Sequence, residues 1–149
     1  TTSGSCGFGI WTTPGALTDY EALFRVRDDG SGAQDNNLAG LRITNGNGFC
    51  ASFRDTTINT RRNTGSGAFP TLMDGTTLSF SASNWFWLRQ QVIGDNYKIK
   101  AWLNGDPEPE SWTIESVSSL EPNPGYCGLG AVNSGNYVEC DFIAARSYD

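Results

Sequence analysis

The chain has 149 residues, 38% of them hydrophobic and only 17% charged, with a net charge of −6. That is the length of one domain with enough apolar material for a core. It carries too few charges for long exposed helices, and the sign is wrong for gripping a phosphate backbone or an anionic membrane. Eighteen glycines among many Thr, Ser and Asn residues point to short strands and frequent turns.

In chain order, residues 1–18 read as an N-terminal arm or edge strand around the apolar piece Phe8 to Trp11. Residues 19–149 read as a single domain. From Tyr20 the pattern alternates, with Tyr20, Ala22, Phe24 and Val26 set against Glu21, Leu23, Arg25 and Arg27. Period two marks a strand with one buried face. Asp28 to Asn37 is a polar loop. Leu38 to Thr44 and Phe49 to Arg54 form a hairpin around Asn45-Gly46-Asn47-Gly48. A weaker strand spans Thr57 to Arg62, and an irregular stretch follows that can hold a strand at Thr77 to Phe80. Trp85 to Ile93 and Tyr97 to Leu103 form the strongest hairpin signal, turned at Gly94-Asp95-Asn96. A short strand fits Trp112 to Glu115. Tyr126 to Val132 and Tyr137 to Arg146 read as a last hairpin. No segment shows helical periodicity, and no apolar run approaches the ~18–20 residues of a membrane span.

The four cysteines, Cys6, Cys50, Cys127 and Cys140, have no C-x-x-C spacing and no histidine to help them, which argues against zinc. Within the last hairpin, Cys127 and Cys140 both fall on apolar parities. They can meet as a disulfide or stay as buried free thiols. The absence of histidine removes a Ser-His-Asp triad, Cys-His catalysis and a His general acid. Glu108 and Glu110 lie in a proline-bracketed turn and are expected to face solvent.

The run Trp87-Leu88-Arg89-Gln90-Gln91-Val92-Ile93-Gly94, then Tyr97-Lys98-Ile99-Lys100-Ala101-Trp102, then Gly105-Asp106-Pro107-Glu108-Pro109 with Trp112, resembles the later half of concanavalin A-like, laminin-G-like jelly rolls. Ala39-Gly40-Leu41-Arg42-Ile43 with Phe49-Cys50-Ala51, and Gly128-Leu129-Gly130 with Val138-Glu139-Cys140-Asp141-Phe142, resemble other parts of the same pattern. Asn104-Gly105-Asp106 in place of Asp-Gly, and Cys140 in place of an aromatic residue, depart from it. The likeness covers about residues 20–146. It implies an all-β, two-sheet antiparallel jelly-roll sandwich, concanavalin A-like, and so a single jelly-roll domain over residues 19–149.

Some relatives of that fold hydrolyse β-glucans with an E-x-D-x-x-E strand. Here Glu139 and Asp141 supply its first half, but Ala144 stands at the last position, so a paired-carboxylate mechanism lacks its partner. Both carboxylates are expected to be solvated, on the parity opposite Val138, Cys140 and Phe142. No enzyme activity is expected. For binding, one face of the Trp85 strand presents Trp85, Trp87, Arg89 and Gln91. Its returning strand adds Lys98, Lys100 and Trp102, and Trp112 lies nearby. Such a polar-aromatic surface suits sugar rings, yet the same aromatics can simply pack. The loop carrying Asp28, Asp29, Asp35 and Asn37 is rich in hard oxygens that suit Ca²⁺, without an EF-hand pattern.

The expected function is non-catalytic surface attachment. The first form is a phage virion decoration, fibre or tail-associated protein that can hold glycans. The alternative is an extracellular carbohydrate-binding module. A start at Thr1 fits either a cleaved secretory signal or a removed initiator Met. The expected partners are subunits of an assembly or surface glycans, with no nucleic acid and no membrane insertion. The expected location is a virion surface or the extracellular space.

Overall fold

A computed structural model describes residues 6–12, 15–28, 37–44, 47–64, 71–118, 123–132 and 137–148. Its strands are β1 (Cys6–Trp11), β2 (Tyr20–Asp28), β3 (Asn37–Thr44), β4 (Asn47–Arg54), β5 (Thr57–Thr64), β6 (Thr71–Thr77), β7 (Phe86–Ile93), β8 (Asn96–Leu103), β9 (Ile114–Val117), β10 (Tyr126–Val132) and β11 (Val138–Ser147). They pair into a six-stranded sheet, β1-β10-β3-β4-β5-β6, and a five-stranded sheet, β11-β2-β7-β8-β9. Every pairing is antiparallel. The result is the all-β jelly-roll sandwich expected from the sequence. Among the described residues, no helix is long and apolar enough to cross a membrane.

Alternation decides which side chains meet between the sheets. Tyr20, Ala22, Phe24 and Val26 of β2 are fully buried, as are Phe86, Leu88 and Val92 of β7 and Tyr97 and Ile99 of β8. Ala39 and Leu41 of β3, Phe49, Ala51 and Phe53 of β4, and Ile58 of β5 come down from the other sheet. Two aromatic pairs span the gap. Phe49 stacks on Tyr97 at 5.1 Å between ring centroids, and Phe53 meets Phe86 edge-on at 5.1 Å. Such pairs contribute roughly 0.5–1.5 kcal/mol each beyond their buried area.

Two irregularities shape the sandwich. At Arg42 the β3 register shifts against β4, and Arg42 adopts φ 53 while almost wholly buried. Its amide N–H donates to Tyr20 Oη at 2.7 Å. Its guanidinium donates to the Thr18 carbonyl at 2.6 Å and to Asp19 at 3.0 Å. The left-handed kink is thereby held to the start of β2, in the other sheet. Elsewhere, β1 lies close against β10 because Gly128 has no side chain. A Cβ there would stand 2.5 Å from the Gly9 carbonyl oxygen.

Four sequence expectations are corrected. β10 and β11 do not form a hairpin, since β10 lies in the six-stranded sheet and β11 in the five-stranded one. Cys127 and Cys140 therefore sit in opposite sheets and are free thiols, as is Cys50, so the Cys127–Cys140 disulfide is not formed. Phe142 does not share a face with Cys140. A bulge between them reverses the alternation, so Ile143 and Ala145 pack on the core while Phe142 turns outward. The strand expected at Thr77 to Phe80 lies earlier, as β6.

Candidate functional site

The core parity of β2, β7 and β8 forces their other residues onto the outer face of the five-stranded sheet. Register aligns that face in rows across the strands. Phe142, Arg25, Trp87 and Trp102 are successive cross-strand neighbours from β11 to β8. The next row runs Ala144, Leu23, Arg89 and Lys100, and the one after it Arg146, Glu21, Gln91, Lys98 and Glu115. Trp87 and Trp102 lie near-parallel, with centroids 6.4 Å apart, and Phe142 meets Trp87 edge-on at 5.4 Å. An aromatic stripe thus crosses the sheet between charged rows.

Trp85 stands beyond the stripe. The Arg25 and Arg27 guanidiniums lie 5.2 and 5.0 Å from its ring centroid. Those arginines also hold the two carboxylates suspected from the sequence, Arg25 with Asp141 at 3.3 Å and Arg27 with Glu139. Both acids are thus engaged in ion pairs with arginines of the neighbouring strand.

On the other flank, Arg89 uses all three of its nitrogens. Nε and Nη2 grip both oxygens of Glu108 at 2.8 and 2.9 Å, while Nη1 donates to Glu21 Oε1 at 2.7 Å. Glu21, nearly buried, also accepts from Tyr148 Oη at 2.6 Å and pairs with Arg146 at 3.0 Å. Gln91 donates to Tyr148 Oη at 2.8 Å. Lys100 reaches the Pro109 carbonyl at 2.9 Å, Glu108 at 3.4 Å and the Trp112 ring at 4.9 Å. Partial burial opposes charge on both Arg89 and Glu108, but their bonds to each other outweigh it. Arg89 titrates above its ordinary range and Glu108 below. Glu108 is exposed, as expected, and is at the same time an anchored ion.

All six tryptophan, arginine and glutamine candidates come together at this face: Trp85, Trp87, Arg89, Gln91, Trp102 and Trp112. Trp102 also lines an open cleft. The cleft, about 350 Å³, lies along Ala101, Trp102 and Leu103 at the end of β8, with Ser79 and Phe80 and the turn residues Asp106, Pro107 and Pro109 completing its lining. Its volume falls in the range of small-molecule sites. A larger groove, about 470 Å³, lies between β6 and β9, but no aromatic ring lines it. The outer face of the six-stranded sheet is closed at its middle. There Leu38, Cys50, Ser52 and Arg61 are buried, and Arg61 Nε donates to Ser52 Oγ at 2.7 Å.

The residues that the sequence did not bring forward are Phe80, Asp106, Pro107, Glu21, Tyr148 and Phe142. Their roles come from loop placement, long-range pairing and the β11 bulge, none of which leaves a local pattern. Of the calcium candidates, Asp28 and Asn37 are described, and Asp29 and Asp35 lie outside the described residues. Asn37 Nδ2 donates to Asp28 Oδ1 at 2.7 Å, which leaves Asn37 Oδ1 buried with no hydrogen-bond partner. Among the described residues, no group of three metal-binding side chains is gathered.

Solved structures share this architecture. Carbohydrate binding module CBM66 from Bacillus subtilis superposes with a TM-score of 0.69 at 12% identity, over 97% of this chain and 84% of its own. The exoplasmic/lumenal domain of VIP36 in its Ca²⁺/Man-bound form gives 0.66 at 15% identity, over 97% of this chain and 74% of its own. The fold is a concanavalin A-like jelly roll. Sheep galectin-11 in complex with glycerol also matches this jelly roll, with a TM-score of 0.54 at 11% identity, over 98% of this chain and 99% of its own. No family model and no curated protein matches the chain.

Proposed function

We propose that this jelly roll is a non-catalytic glycan-binding domain whose site is the Trp102 cleft and the aromatic stripe behind it. The observation that carries the reading is Trp102 itself. It lines an open cleft together with Phe80 and Asp106, and its ring stacks on Trp87. Pyranose rings offer C–H faces to an aromatic surface and hydroxyls to a carboxylate, so the cleft matches both halves of a sugar. A carbohydrate binding module and a mannose-bound domain with the same fold support the reading. Absence of catalysis is part of the proposal. Glu139 and Asp141 are committed to Arg27 and Arg25, and the sequence holds no histidine.

The setting that fits is extracellular or on the surface of a particle, where glycans are met. A place on a phage virion is the narrower form of that proposal, and detection of the chain in purified particles tests it. Calcium at the Asp28–Asn37 end of the loop is a further part of the reading. The unpartnered amide oxygen of Asn37 beside the Asp28 carboxylate is the kind of hard oxygen that Ca²⁺ takes. The test of function is a glycan array probed with the whole chain, followed by a reducing-end assay on each hit. Binding without release of reducing ends is expected. An array without hits contradicts binding, and released sugar contradicts the non-catalytic part.

A further inference from the structure

We infer that Arg89 and Glu108 act as a clamp that positions the outer wall of the Trp102 cleft, so that glycan affinity depends on an ion pair that need not touch the glycan. The inference rests on the glycan-binding reading and adds to it the device that holds the site in shape.

The wall is the segment Asp106-Pro107-Glu108-Pro109, which follows β8 and precedes β9. Asp106, Pro107 and Pro109 line the cleft, while Glu108 between them bonds instead to the sheet. A loop in this place has little of its own to fix it. The backbone bonds at its start are Asn104 N–H to the Trp85 carbonyl at 3.0 Å and Asp106 N–H to the Leu103 carbonyl at 3.0 Å. At its far end, Thr113 N–H reaches the Ile99 carbonyl at 2.8 Å. Between these points it is fastened by side chains. Arg89 takes both oxygens of Glu108 in a bidentate grip, the geometry in which guanidinium and carboxylate specify orientation as well as attraction. Lys100 adds its bond to the Pro109 carbonyl and stands over the Trp112 ring.

Arg89 is itself held. Its third nitrogen is tied to Glu21, which is nearly buried and is also bonded by Tyr148 and Arg146. The clamp therefore runs from the cleft wall through β7 to the last residues of β11 and beyond. Pre-organising one wall of a binding site raises affinity by removing the ordering cost from the binding step. The prolines on either side of Glu108 act in the same direction, since each fixes its own φ.

The experiment compares the wild-type chain with Glu108→Gln, and with Glu115→Gln as control. Glu115 makes a comparable pair with Lys98 at 2.7 Å on the same sheet, away from the cleft. Three readouts are taken: affinity for mannotriose, cellotriose and xylotriose by calorimetry, amide hydrogen exchange across residues 104–113, and the urea midpoint. For Glu108→Gln the affinity is expected to fall roughly tenfold, exchange in 104–113 to rise, and the midpoint to hold. Glu115→Gln is expected to change none of the three.

Unchanged affinity and unchanged exchange in Glu108→Gln overturn the clamp. So does a midpoint that falls in step with affinity, since the pair would then act through global stability. Failure of the wild type to bind any of the three sugars overturns the purpose given to the clamp and the reading beneath it. That failure is distinguishable, because the exchange readout needs no sugar.

Discussion

Replacing Trp102 with alanine separates a ring that binds from a ring that only packs. Trp102 is half-buried, near-parallel to Trp87 at 6.4 Å, and among the residues that line the open cleft. Loss of the Trp87 contact costs about 0.5–1.5 kcal/mol of folding stability. For a chain of this length, that is a drop in Tm of roughly 2–6 °C. A central aromatic in a binding site typically costs ~2 kcal/mol or more of binding when truncated, which is about a 30-fold weaker Kd. Trp102→Phe keeps a ring against Trp87 and is expected to recover most of the stability and part of the affinity. Urea or thermal unfolding gives the first quantity, and calorimetry with an array-selected oligosaccharide gives the second. Unchanged affinity in Trp102→Ala refutes the cleft as the site. A stability loss above ~4 kcal/mol, the range of a fully buried Trp truncation, refutes the placement of Trp102 at the edge of the packed region.

Three further outcomes are expected. Tyr20→Phe removes the acceptor of the Arg42 amide at a fully buried position; urea unfolding should show a loss of ~1–3 kcal/mol, and a loss below ~0.5 kcal/mol contradicts the bond's role. Peptide mapping of the protein alkylated without reduction should show Cys50, Cys127 and Cys140 each as a free thiol. Burial pushes the Cys127 thiol up to about 11, so in the native protein it should react slowly at pH 8; a Cys127–Cys140 cross-link contradicts the two-sheet placement. Millimolar Ca²⁺ should raise the Tm of the wild type by several degrees if it exceeds Kd about 100-fold, and Asp28→Asn should abolish the rise; no shift in the wild type contradicts the calcium reading.

Where burial alternates along a strand, the sequence was enough to place its residues. The faces of β2, β7 and β8 follow from period two, because one side of each strand meets the other sheet. With them came the gathering of Trp85, Trp87, Arg89, Gln91 and Trp102 on one surface. The final strands were not legible in the same way. Tyr126 to Val132 and Val138 to Ser147 are both apolar on one parity, and that pattern fits a hairpin as well as a crossing between sheets. Only packing of the whole sandwich chooses between them. The bulge at Asp141 is likewise invisible in composition, yet it turns Phe142 from the core onto Trp87. Glu108 joins Arg89 across nineteen positions, and Glu21 joins Tyr148 across 127. Such bonds depend on the fold being assembled first. β6 was misplaced because Thr71–Thr77 is largely exposed and shows no apolar alternation to mark it.

The most direct test of the central claim uses the five tryptophans as reporters. Trp11 lies in β1, in the six-stranded sheet, while Trp85, Trp87, Trp102 and Trp112 lie on the other sheet's outer face or beside it. Indole N–H resonances are followed by ¹⁵N-correlated NMR as an array-selected oligosaccharide is added. The Trp102 indole is expected to shift most, Trp87 and Trp112 less, and Trp11 not at all. Saturable shifts at Trp11 with Trp102 unmoved would contradict the account and place the site on the other sheet.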